Sequence, residues 1–167
     1  MRSPYAYEMA KAEEGDASLI FITRDGFKEI LAIEGGLERA KKDLALRHDF
    51  TLAGIFRLFS DNTHGRINAN ELLFGLEKLG VSCDISDARL LVDRYDNDKD
   101  GRLGFWEFSN ALLPIQSEMR DDVESRKAIW DVSSETKELV KKTFRCLIDT
   151  ESMIEGIRQR IAREKST

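Results

Sequence analysis

Residues 96–107 read Asp96-Asn97-Asp98-Lys99-Asp100-Gly101-Arg102-Leu103-Gly104-Phe105-Trp106-Glu107. The spacing is D-x-D-x-D-G-x5-E, and elementary chemistry accounts for each place in it. A hard divalent cation the size of Ca2+ takes about six to eight oxygens at roughly 2.3–2.6 Å. Asp96, Asp98 and Asp100 offer carboxylates from alternate positions of a tight turn. Gly101 allows the sharp reversal, Arg102 offers its backbone carbonyl, and Glu107 reaches back with two oxygens. Gly104 has no side chain, so the ninth position falls to a water. Asp96, Asp98, Asp100, Arg102 and Glu107 are therefore the candidate metal ligands. Carboxylates so concentrated repel one another, so the loop is expected to be loose without a metal and ordered with one. The same donors suit Mg2+, which makes that ion a competitor.

Working outward, Ala88, Leu91, Val92 and Tyr95 precede this loop at helical spacing, and Phe108, Ala111, Leu112 and Ile115 follow it. An earlier copy of the unit has Leu52, Ile55, Phe56 and Phe59, a polar loop over 60–71, then Leu72, Leu76 and Leu79. Gly65 and Gly101 correspond and set the repeat. In the same frame Gly65, Ile67 and Glu71 are in place, but Ser60, Asn62 and His64 stand where acids belong. Affinity follows the charge of the ligand set, so loop 60–71 is expected to bind Ca2+ poorly or not at all. Asp61 falls at a position that points away from an ion, and His64 has no second His or Cys nearby, which reads as a surface histidine. The role expected of this loop is structural: Ile67 and Leu103 pair the two loops in a short antiparallel ladder.

Long amphipathic segments flank the pair, and the fold class expected is all-α. Residues 1–17 form a polar tail with Tyr5 and Tyr7 as anchors. The 18–48 segment is a helix with Ile30, Leu37 and Leu44 in steps of seven. Gly35 and Gly36 cost about 1 kcal/mol each in its middle and leave room for a bend there. The paired unit occupies 49–116, and 117–132 is a charged connector whose Trp130 is expected to dock on something apolar. The last element, 133–167, is a helix capped by Ser133 or Ser134. It carries Val140, Leu147, Ile154 and Ile161 and ends in the basic tail Arg158, Arg160, Arg163 and Lys165. The two apolar stripes either pack on each other and on the paired unit as core, or one of them grips another protein as a docking arm.

Composition narrows the function classes. The 167 residues hold 26 Lys+Arg against 31 Asp+Glu, a formal charge of -5, which argues against nucleic acid as a partner. No apolar run approaches the ~18 residues of a membrane span, and the stripes lack the Trp of an inserted amphipathic helix. Only His48 and His64 are available as histidine bases, and no G-x-S-x-G, P-loop or H-E-x-x-H occurs, so the expectation is no enzyme. Cys83 and Cys146 are too few for a disulfide framework and read as reduced thiols of a cytoplasmic protein.

Segment 49–115, with its intact loop 96–107 and its degenerate loop 60–71, resembles a paired EF-hand domain of the calmodulin, centrin and troponin C superfamily. The resemblance implies one Ca2+ per chain and a regulatory or adaptor protein that docks to a protein partner, helical or cytoskeletal, through apolar helix faces. The larger plan of long helix, hand pair and long helix ending Ile157-Arg158-Gln159-Arg160-Ile161 resembles EF-hand proteins of ciliated protists. That second resemblance implies a cytoskeletal, ciliary or axonemal setting, and with it the alternative that the ion only stabilises a structural subunit.

Overall fold

A computed structural model describes residues 17–60 and 65–166. Residues 1–16 of the tail read over 1–17, and Asp61, Asn62 and His64 of the first loop, lie outside the described residues. The element order is α1 (Ala17–Ala45), α2 (Leu52–Phe59), β1 (Arg66–Ile67), α3 (Ala69–Lys78), α4 (Ile85–Tyr95), β2 (Leu103–Gly104), α5 (Phe105–Leu112), α6 (Ser117–Ser125) and α7 (Ser134–Lys165). The fold is all-α, with one two-residue antiparallel ladder as its sheet among the described residues.

Three of the four helices of the repeat start where the sequence supplies a side-chain cap. Thr51 accepts from the Gly54 amide at 3.2 Å and opens α2. Asn68 and Glu71 form a reciprocal capping box on α3, and Asp84 and Asp87 form one on α4. The ladder aligns Ile67 with Leu103 and Arg66 with Gly104, as the sequence leads one to expect of the apolar pair. Ile67 and Leu103 are both buried, so the ladder locks the two loops from the core side.

The two long helices run antiparallel. Arg47, just after α1, meets Thr136 at the start of α7 with an Nε–Oγ1 hydrogen bond of 3.1 Å. At the other end a Cβ on Gly26 would come within 2.8 Å of Ile157 Cδ1, so glycine permits close approach there. Ile30, Leu37, Leu44, Val140, Leu147 and Ile154 are all buried, which identifies both stripes as core in this structure. Ile30, Ile154 and Ile157 form a small cluster of their own, apart from the main core under the hand pair. α1 runs through Gly35-Gly36 without a break in the helix. Packing along α7 supplies what propensity lacks there.

α7 also fills the apolar face of the hand pair. Phe144 lies 5.1 Å from Phe59 of α2 and 6.0 Å from Phe108 of α5, ring centroid to centroid. Phe59 and Phe108 are themselves 5.2 Å apart. The three rings join the first helix of one hand, the second helix of the other and the C-terminal helix in one contact.

The stretch read as a connector contains a helix, α6. Just past it, the Arg126 guanidinium donates to the carbonyls of Ala45, Arg47 and Phe50, which closes the end of α1 onto the entry to α2. Trp130 does not dock on an apolar surface; it is 56% exposed, with the Arg57 guanidinium 5.1 Å over its ring. The connector is held instead by its backbone. Thr51 Oγ1 accepts from the Ile129 amide at 3.1 Å and donates to the Ile129 carbonyl at 3.3 Å. Gly54 makes room, since a Cβ there would lie 2.1 Å from the Ile129 oxygen. Cys83 and Cys146 are partly buried against the main core, and burial pushes both thiols up.

Asp49 ties these parts together at the start of α7. Its carboxylate accepts from the Ser133 amide at 2.8 Å and from the Thr136 hydroxyl. Burial works against the charge, but the hydrogen bonds from Thr136 and Ser133 outweigh it and hold the carboxyl well below the usual carboxylate range. A depressed folded-state pKa contributes stability that is present above the unfolded value near ~4 and is lost as pH falls below it. Asp49→Asn is expected to cost about 1–3 kcal/mol at neutral pH and to flatten the decline in urea midpoint between pH 5 and pH 3; an acid slope equal to that of the wild type would contradict the assignment. Phe144→Ala is expected to lower stability by about 3–5 kcal/mol in the same unfolding measurement, because it empties the centre of the three-ring contact.

Candidate metal centre

The second loop is framed by α4 and α5. Asp96 ends α4, donates its amide to the Val92 carbonyl at 2.8 Å, and is buried. Arg94, two residues before it, pairs with the buried Glu151 of α7 at 3.6 Å. Burial, reinforced by the charge of Glu151, pushes the Tyr95 hydroxyl up to about 12. The loop therefore starts from a helix end clamped against the C-terminal helix.

The chain then turns on Gly101, whose φ of 82° is the left-handed region that favours glycine. The turn aims amides inward. Asp96 accepts from the Asp100 amide at 3.2 Å and from the Gly101 amide at 2.8 Å. Asp98 accepts from the Asp100 amide at 3.2 Å, and Asp100 from the Arg102 amide at 2.9 Å. Glu107, in the first turn of α5, folds back over the loop. Its Oε1 accepts from the Asn97 amide at 2.8 Å and its Oε2 from the Gly104 amide at 2.7 Å.

This folding brings Asp96, Asp98 and Glu107 together: one carboxylate oxygen from each lies within 4.8 Å of the others. Asp100 stands outside that trio, and its carboxylate pairs with Arg66 from β1. Arg102 lies on the descending limb of the turn, just before β2. Crowding raises the Asp98 carboxyl above the usual carboxylate range, through lost solvation first, then the hydrogen bond with Asp96 and the charge of Glu107, while Arg66 pulls the other way. The residues fit a hard cation. The three clustered donors are carboxylate oxygens, with no imidazole or thiolate among them, which selects Ca2+ or Mg2+ over a transition metal.

The first loop is visible at its two ends. Ser60, at the position that Asp96 holds in the second loop, is buried and caps the end of α2. The Glu71 carboxylate accepts from the Asn68 amide at 2.8 Å, as Glu107 does from Gly104. Arg66 is the residue that the sequence reading passed over. The signal was available as a basic residue on the strand of one loop, directly opposite the acidic loop of its twin.

No family model matches the chain, and no solved structure matches it. Curated relatives from Arabidopsis thaliana do. The protein named "Probable calcium-binding protein CML23" is 36% identical over 58 residues, 35% of this chain and 37% of that protein. Calmodulin-like protein 3 is 31% identical over 77 residues, 46% of this chain and 50% of that protein. Calcium-dependent protein kinase 7 is 31% identical over 67 residues, 40% of this chain but 12% of the kinase. The chain thus spans between about a third and a half of the length of these two calcium-binding and calmodulin-like relatives.

Proposed function

We propose that the chain is an EF-hand protein, a calcium-binding regulatory protein holding one Ca2+ through loop 96–107, as its similarity to calcium-binding and calmodulin-like relatives supports. The observation that carries this is the convergence of Asp96, Asp98 and Glu107 oxygens at the mouth of a glycine turn between two helices. The ion supplies positive charge that gathers these oxygens, with Asp100 and the Arg102 carbonyl completing the set. Loop 60–71 offers Glu71 as its one formally charged ligand and stays a structural partner through Ile67. Mg2+ competes for the same oxygens. Isothermal titration is expected to give one Ca2+ per chain, lost in Glu107→Gln and little changed in Glu71→Gln. Two equal sites would contradict the reading of Ser60, Asn62 and His64.

The reading is of a binding protein, not an enzyme. The stretch shared with the kinase is a small fraction of that kinase, and the clustered carboxylates here are committed to one loop. As part of the same proposal the partner is another protein, helical or cytoskeletal, and the setting is cytoplasmic, at the cytoskeleton or in a cilium. Docking through the apolar helix faces requires α7 to leave the hand pair, because Phe144, Val140 and Leu147 are buried there.

The occupied face favours a second reading, in which the ion only stabilises a structural subunit. Calcium titration with an apolar fluorescent probe separates the two, read together with emission from Trp106, which is 59% exposed inside the loop. A regulatory protein gains probe binding as the ion is added. A structural one gains melting temperature with no new apolar surface.

A further inference from the structure

Arg66 lies on β1, next to Ile67. Strand alternation sends neighbouring side chains to opposite faces, so with Ile67 buried in the core Arg66 turns outward over the loops. Its register partner on β2 is Gly104, which has no side chain to occupy that space. The guanidinium crosses from the first loop to the second. There Nη1 lies 3.3 Å from Asp98 Oδ2 and pairs with Asp100 Oδ2 as well. Both carboxylates belong to the proposed ligand set, and Asp100, the one turned furthest toward Arg66, is the one outside the clustered trio.

We propose that Arg66 is a built-in competing cation, through which the degenerate first loop sets the affinity of the second loop for Ca2+. The inference rests on the reading of loop 96–107 as a metal site. A divalent ion and the guanidinium seek the same oxygens of Asp98 and Asp100, and both cannot hold them at contact distance. Arg66 therefore offsets carboxylate repulsion when no ion is bound, and it must yield when one arrives. The same contact acts twice: it stabilises the ion-free chain and it weakens ion binding, as thermodynamic linkage requires. The side chains are partly solvated, 45% exposed for Arg66 and 53% and 32% for Asp98 and Asp100, so the effect is moderate and sensitive to salt.

The test compares wild type, Arg66→Ala and Arg66→Lys, each titrated with CaCl2 at low and at high ionic strength, and each melted in EDTA and in saturating Ca2+. Arg66→Ala is expected to bind about three- to tenfold tighter at low salt, with the gap narrowing at high salt. Arg66→Lys, which keeps a charge, is expected to stay near the wild type. In EDTA, Arg66→Ala should melt below the wild type, and in saturating Ca2+ the difference should close. Equal or weaker Ca2+ binding by Arg66→Ala, beside a wild type that binds normally, overturns the role of Arg66 alone. A wild type that takes up no Ca2+ overturns the site reading beneath it, whatever the melting curves in EDTA show.

Discussion

Carboxylates packed into one short loop repel one another, and the rest of this structure is arranged around containing that repulsion. Asp96, Asp98, Asp100 and Glu107 all fall within twelve residues. The loop answers first from its own backbone, by aiming the amides of Asn97, Asp100, Gly101, Arg102 and Gly104 at the carboxylate oxygens. It answers next from its twin, through the Arg66 guanidinium. The second answer depends on the two-residue ladder. A slip of one residue would turn Ile67 outward and Arg66 into the core, and would remove the apolar lock and the counter-charge together.

The ladder is short, and it is held in place from the side away from the loops. Phe59, Phe108 and Phe144 bind α2 and α5 to α7. Arg94 and Glu151 bind the end of α4 to the same helix. Asp49 and Arg126 fasten the entry to the hand pair to the start of α7 and to the end of α1. The long helical pair is thus an internal brace as well as an extension. Any rearrangement of the hands on binding an ion must work against this packing, and α7 is the element through which it would be felt.

The helix–loop–helix repeat was legible in the sequence because apolar spacing, turn glycines and capping residues all agree with it locally. The pairing of Ile67 with Leu103 was legible for the same reason: both sit at the same place in equivalent loops. The features that were not legible depend on contacts far apart in the chain. α6 carries Met119 and Val123 among charges, so its apolar pattern is too sparse to announce a helix. Trp130 suggested a docking anchor, but backbone bonds between Ile129 and Thr51, 78 residues away, hold the connector instead. The candidate ligands could be named from spacing alone. That Asp100 would turn to Arg66, while Asp96, Asp98 and Glu107 converge, depends on the register between loops, which no local pattern encodes.

Luminescence from Tb3+, a hard oxygen-seeking ion of similar size to Ca2+, tests the central claim most directly, because Trp106 sits in the first turn of α5 beside Glu107 and can transfer excitation to an ion held by the loop. The account predicts sensitised emission that saturates at one equivalent, is chased out by Ca2+ and is lost in Trp106→Phe although the ion still binds. Emission that never rises on Trp excitation, or that persists unchanged in Trp106→Phe, would place the ion elsewhere and contradict it.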